Sequence, residues 1–254
     1  MLRRCLVLAL MSWCWALPMR AAHAQTRAVV ELFTSQGCSS CPPADKLIGE
    51  LAGDPSLVVM SIPIDYWDYL GWKDTLASPR NTARQKAYAR ARGDGQVYTP
   101  QAVVNGSVHA LGSDKGAIEQ AIVKTRKNGA MSIAPVTLGL REGSISIVLP
   151  ETEDAVGGEA WLCGLTRGAT IAIGRGENKG RSVTYHNVVR RWVKLGDWSG
   201  HGRTFSVPAQ TLAGDGIDEA SAFHESGHAG TGAPLTRKSR TAMRTKTPLW
   251  TWAT

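Results

Sequence analysis

The chain has 254 residues, 43% of them hydrophobic and 20% charged, which suffices for one large domain or two small ones and excludes wholesale disorder. Its formal charge of +8 does not mark a nucleic-acid binder: eight of the 29 basic residues lie in the acid-free ends 1–24 and 235–254, and the other 21 face 21 acids. No apolar run is long enough to span a membrane, so the expectation is a protein that is not integral to one.

Residues 1–24 have the pattern of a secretory signal. Arg3 and Arg4 supply the positive start, Cys5 to Leu17 the short apolar stretch, and Ala22-His23-Ala24 a small-x-small cleavage site. The mature chain is then expected to begin at Gln25, in the periplasm or outside the cell. Cleavage removes Cys5 and Cys14 and leaves Cys38, Cys41 and Cys163. Three cysteines make no disulfide framework, and a Cys-x-x-Cys pair in an exported protein points to a redox or metal device.

From Ala28 the elements come in short succession. AVVELF (28–33) is a continuous apolar strand, and CSSCPPADKLIGELA (38–52) enters a helix with Leu47, Ile48 and Leu51 on one face. SLVVMSIPID (56–65) is a second strand, and YWDYLGWKDTLASP (66–79) an aromatic loop. RNTARQKAYARA (80–91) is a helix, QAVVNG (101–106) and SVHALG (107–112) are strands about an Asn-Gly turn, and 113–127 is a helix capped by Ser113. The order β-α-β-α-β-β-α is that of a thioredoxin fold, which makes 25–128 an α/β thioredoxin-like domain.

After Asn128 the pattern turns to β. Residues 136–150 alternate about a Glu-Gly turn; 160–168, 169–174, 182–198 and 203–209 read as strands. We therefore expect a smaller all-β domain over 129–218, a sandwich being one form. Residues 219–254 lack any period, and past Glu225 their charge is all basic, so they read as a disordered or atypical tail.

Cys38-Ser39-Ser40-Cys41 follows a strand and opens a helix. A helix N-terminus carries partial positive charge and unpaired N–H groups, which stabilise a thiolate. Cys38 is then the nucleophile, and Cys41, one turn deeper, resolves the mixed disulfide. Pro42 and Pro43 suit a helix start. A passive disulfide or half of a zinc site are the other readings, although no second ligand pair is spaced for zinc. Pro100 lies 62 residues after Cys38 and just before a strand. Thioredoxin-like proteins place a cis-proline there, facing the cysteines, while an ordinary strand-start proline is the bland reading.

The segments ELFTSQGCSSCPPAD, IDYWDYLGWKD, SPRNTARQKAYA, VYTPQAVVNG and YHNVVRRW together resemble the exported thioredoxin-like family catalogued as domain of unknown function 1223. The resemblance runs from about Ala28 to Asp218. It implies a thioredoxin-like domain, export in bacteria and an unsettled activity, and it puts Cys38, Cys41 and Pro100 at the redox-site positions.

The loop Asp65–Asp74 has two readings. Trp67 and Trp72, with Thr99, wall the cysteines and bind substrate, and Asp65 accepts the proton of Cys41; or the aromatics simply cover the core or dock the second domain. His224-Glu225-Ser226-Gly227-His228 matches the zincin signature H-E-x-x-H, but the surrounding glycines and Pro234 argue against the helix it needs. Cys163 reads as a buried inert thiol. His109 is a strand histidine or a copper or zinc ligand. Tyr185, His186, Asn187 and Arg190 mark an interface or a binding edge.

The leading expectation is a periplasmic thiol–disulfide oxidoreductase or thiol-handling protein. Its substrate would be a protein or small thiol or disulfide, and its redox partner would lie in the membrane or periplasm. It needs no cofactor and no metal. The rivals are a copper-handling protein using the same cysteines and a non-catalytic binding module.

Overall fold

The structure, a computed structural model, describes residues 26–127, 136–152, 157–225 and, as backbone, 240–245. The signal reading of 1–24 and His228 lie outside the described residues.

Strands β1 (Ala28–Thr34) and β2 (Leu57–Pro63) pair in parallel, with helix α1 (Pro42–Leu51) as the crossover. Helix α2 (Pro79–Arg92) leads to β3 (Gln101–Val104), which runs antiparallel to β1. Strand β4 (Val108–Leu111) closes that edge, and α3 (Lys115–Lys127) follows. Alternation along β1 divides the core. Ala28, Val30 and Leu32 pack with α1 and α3; Val29 and Phe33 face Tyr88 of α2. Leu47, Ile48 and Leu51 form the buried face of α1, as their spacing predicts.

Helix α2 docks differently. Its buried residues include Asn81, Thr82, Arg84 and Gln85, so it is held by hydrogen bonds as well as apolar area. Asn81 donates to the Pro63 carbonyl at 2.8 Å, and Gln85 to the Tyr98 carbonyl at 2.8 Å. Ser78 caps its first turn by accepting from the Arg80 N–H.

The β part shares its strands between two sheets. The long strands β7 (Gly158–Ala172) and β8 (Ser182–Trp198) form a hairpin, and β8 joins β2 in parallel where Ser61 meets Val188. Together with β10 (Glu219–Glu225) and β11 (Arg240–Thr245) they extend the first sheet to eight strands, in the order β11-β10-β7-β8-β2-β1-β3-β4. Among the described residues, β5 (Thr137–Arg141), β6 (Ser144–Leu149) and β9 (Arg203–Pro208) form a second, three-stranded sheet. Its Ile145, Ile147 and Leu149 pack on Ala160 and Leu162 of β7. The opposite face of β7 turns Trp161, Cys163 and Leu165 toward α2.

Two expectations are corrected here. The strands read at 160–168 and 169–174 are one strand, because β8 pairs with it straight through Gly168. The tail read from 219 starts instead with a buried strand: Ala220 and Ala222 pack toward the small sheet, and Phe223 packs toward α2. Its polar residues hid it, since burial of Glu225 depends on Arg84, 141 residues away.

The segment YHNVVRRW is the seam between the two parts. Asn187, at φ +50°, donates to the Val59 carbonyl of β2 at 2.9 Å. Tyr185 is buried, and His186 lies so close to α1 that a Cβ on Gly49 would sit 2.6 Å from its ring.

Candidate redox site

Cys38 and Cys41 are joined by a disulfide, with Cα atoms 5.4 Å apart, at the mouth of α1. Cys38 is 4% exposed and Cys41 wholly buried. The loop leaves β1 at Thr34 and is closed by two backbone bonds, Cys38 N–H to the Ser35 carbonyl and Cys41 N–H to the Cys38 carbonyl, both 3.2 Å. Pro42 and Pro43 have no N–H, and the N–H groups of Ala44 and Asp45 go to the Cys41 carbonyl. A Cys38 thiolate is therefore favoured by the helix dipole more than by free amides; the Ser40 hydroxyl lies 3.4 Å from Cys38 Sγ.

Thr99-Pro100 is a cis peptide. Ser40 donates to the Thr99 carbonyl at 3.5 Å, so this turn lies beside the cysteines. A Cβ on Gly112 would lie 3.0 Å from Pro100 and 2.5 Å from Leu32, which explains the absence of a side chain there.

The aromatic loop divides between its two readings. Trp67 donates from Nε1 to the Thr99 hydroxyl at 2.8 Å and stacks with Tyr69, which is 76% exposed. Gly37, next to Cys38, lies against the Trp67 backbone. Trp72 turns away from that wall. It packs on Gly174 and Gly176 and donates to Gln36 Oε1 at 2.8 Å. Asp65 binds the Thr82 hydroxyl of α2 at 2.5 Å.

The buried acid next to the pair is Asp45, one turn after Cys41. It accepts one hydrogen bond, from Thr34 at 2.7 Å, and its other oxygen has no partner. Burial pushes its carboxyl from 3.8 up to about 8; the Thr34 bond opposes this and the charge of Asp74 adds to it. Asp74 is also raised by burial, against the N–H donors of Gln36 and Leu76. Burial, with the charges of Asp45 and Asp74, likewise pushes the Tyr185 phenol up. The sequence signal for Asp45 was an acid in the first turn of the CxxC helix, which reads as an ordinary helix-start charge. Gln36, wholly buried, was also missed; it joins Trp72, Thr75 and, through its N–H, Asp74 at 2.7 Å.

The weaker candidates fall elsewhere. His109 has both ring nitrogens engaged, Nδ1 with the Tyr98 hydroxyl at 2.8 Å and Nε2 with Asp94 at 3.3 Å. Cys163 is buried, and burial holds its thiol well above its ordinary value. His224 and Glu225 lie on β10, a strand rather than a helix, and Glu225 binds Arg84. Among the described residues no three or more His, Cys, Asp or Glu gather as a metal site.

Comparison with known proteins agrees with this architecture. No curated protein matches. A crystal structure of an Agrobacterium tumefaciens protein from a structural genomics programme superimposes with a TM-score of 0.75 at 31% identity, covering 86% of this chain and 94% of that one. Residues 29–223 match the family described as "Protein of unknown function (DUF1223)", and the chain belongs to that family.

Proposed function

We propose that the protein is an exported thiol–disulfide oxidoreductase built on a thioredoxin-like core. The observation that carries this reading is a disulfide at the first turn of a helix, beside a cis-proline turn, with the acid Asp45 buried in that same first turn.

A substrate thiolate attacks Cys38 Sγ. The Cys38–Cys41 bond breaks, and Cys41 leaves with the electron pair as Asp45 supplies its proton. A second substrate thiolate attacks the substrate sulfur of the mixed disulfide and expels Cys38 as thiolate. Two substrate thiols become a disulfide as the protein takes up two electrons. Run backwards, the Asp45 carboxylate receives the proton of Cys41 as that thiol attacks the mixed disulfide. Trp67, Tyr69, Thr99 and Pro100 form the face that meets the substrate beside Cys38.

The test is titration of the mature protein in glutathione buffers, with free thiols trapped by alkylation and read by mass. The expected result is a reversible two-electron transition between about −120 and about −270 mV, lost in Cys38→Ser. A high potential means a thiol oxidant and a low one a reductant. No transition in that window sinks the reading.

A further inference from the structure

The turn that joins β7 to β8 touches the cysteine loop. Asn178, in this turn, is 1% exposed. Its Nδ2 donates to the Gln36 carbonyl at 3.0 Å and to the Cys38 carbonyl at 2.8 Å. Its Oδ1 has no hydrogen-bond partner. The position thus uses two donors and nothing else of the amide. An aspartate of the same shape offers none and would face two carbonyl oxygens.

The turn is itself well anchored. Ile173 donates to the Arg181 carbonyl at 2.9 Å, Gly180 to the Ile173 carbonyl at 2.8 Å, and Arg181 to the Asn178 carbonyl at 3.0 Å. Gly176 and Gly180, at φ +74° and +81°, provide the left-handed conformations. Trp72 packs on Gly174 and Gly176 and holds the Gln36 side chain. The same turn therefore reaches the cysteine loop twice, through Asn178 directly and through Trp72.

We propose that Asn178 is a positioning residue for Cys38, through which the β7–β8 hairpin sets the reactivity of the nucleophilic thiol. The proposal deepens the oxidoreductase reading and rests on it. Once the disulfide opens, Cys38 loses its covalent tie to α1. The loop is then held by its backbone bonds, by Ser35 on the Gly37 N–H and Asp74 on the Gln36 N–H, and by Asn178, which alone among these holds the Cys38 carbonyl from the hairpin. Keeping the Cys38 carbonyl on Asn178 keeps its sulfur over the N-terminal end of α1, where the dipole favours the thiolate.

The experiment measures alkylation of Cys38 by iodoacetamide in the reduced protein across pH, with Cys38 and Cys41 separated by peptide mass. Asn178→Asp and Asn178→Ala are expected to move the Cys38 curve to higher pH. Below both midpoints the rate should fall about fivefold, the size of a lost helix-terminus interaction. The equilibrium with glutathione should shift toward the disulfide by a similar factor. Glu177→Ala, in the same turn, should leave the curve in place; an equal shift there overturns the proposal. Trp72→Phe keeps the ring on Gly174 and Gly176 but removes the N–H to Gln36. It should shift the curve in the same direction; if the Asn178 variants do not fold, an unmoved curve here overturns control of Cys38 by the hairpin. Folded variants with an unmoved curve overturn the proposal, whatever their melting temperatures. Alkylation needs no disulfide partner. A wild type without a glutathione transition would thus remove the oxidoreductase reading, and the alkylation curves would still judge Asn178.

Discussion

Around Arg84 charge is buried together with its counter-charge, whereas beneath the Cys38–Cys41 pair a carboxyl is buried with none. Arg84, on α2, donates to Glu31 of β1 at 2.7 Å and Tyr88 at 2.6 Å, and binds both carboxylate oxygens of Glu225 on β10. Its guanidinium lies 4.3 Å from the Trp192 ring centre. Burial works against its charge, and the two glutamates more than restore it. Asp45 has only Thr34 and the like charge of Asp74, so it keeps its proton near neutral pH. Paired charges of the first kind fasten elements together; an acid of the second kind is, under the proposed function, a proton store. Pairing, rather than burial, separates the structural cluster from the chemical one.

The strongest way to break the comparison is Arg84→Ala. It leaves Glu31 and Glu225 buried without their cation, and should destabilise the fold by about 3–5 kcal/mol in urea melts. A loss below about 1 kcal/mol would mean that the cluster is not needed to hold β10 to α2.

Asp45→Asn should act through pH. Asp45 titrates near 8 in the folded chain and at an ordinary 3.8 when unfolded. A raised folded value contributes stability that is full below about pH 4 and is lost as pH rises through about 8. Across that window wild-type stability should fall, relative to Asp45→Asn, by up to ~1.4 kcal/mol per pH unit. Melts of the two oxidised proteins from about pH 5 to about pH 8 measure the slope. Parallel curves would show an ionised Asp45 and remove the proton store.

The smallest effect is expected at the surface. Arg27 bridges Asp54 at 3.3 Å and Glu119 at 3.0 Å, with all three side chains about a third exposed. Arg27→Ala should cost about 0.2–1 kcal/mol, and less in high salt. A cost matching that of Arg84→Ala would mean that burial does not govern these ion pairs.

The elements with strong local periodicity were legible before folding. The α1 face, the β1–β2 strands, the β3–β4 hairpin and the hairpin at Glu142-Gly143 follow from alternation, apolar spacing and turn residues that act over a few neighbours. The spacing Cys-x-x-Cys before a helix likewise placed the cysteines in one turn. The same reasoning misplaced Trp72 and missed Asp45, because direction and burial depend on what packs above. Trp72 faces Gly174 and Gly176, about 100 residues further on. Asp45 is an exposed-looking helix acid until β8 comes to lie against α1 at Gly49.

What the sequence determined by itself is therefore most of the local elements, the likeness to a family and the Cys-x-x-Cys pair at a helix start. Only the tertiary structure decided that β8 adds to β2, that Glu225 closes on Arg84, and that Asn178 reaches the Cys38 carbonyl. Each of these joins residues more than 120 positions apart. No local pattern encodes such a meeting; it follows from how the whole apolar surface can be buried with every charge answered.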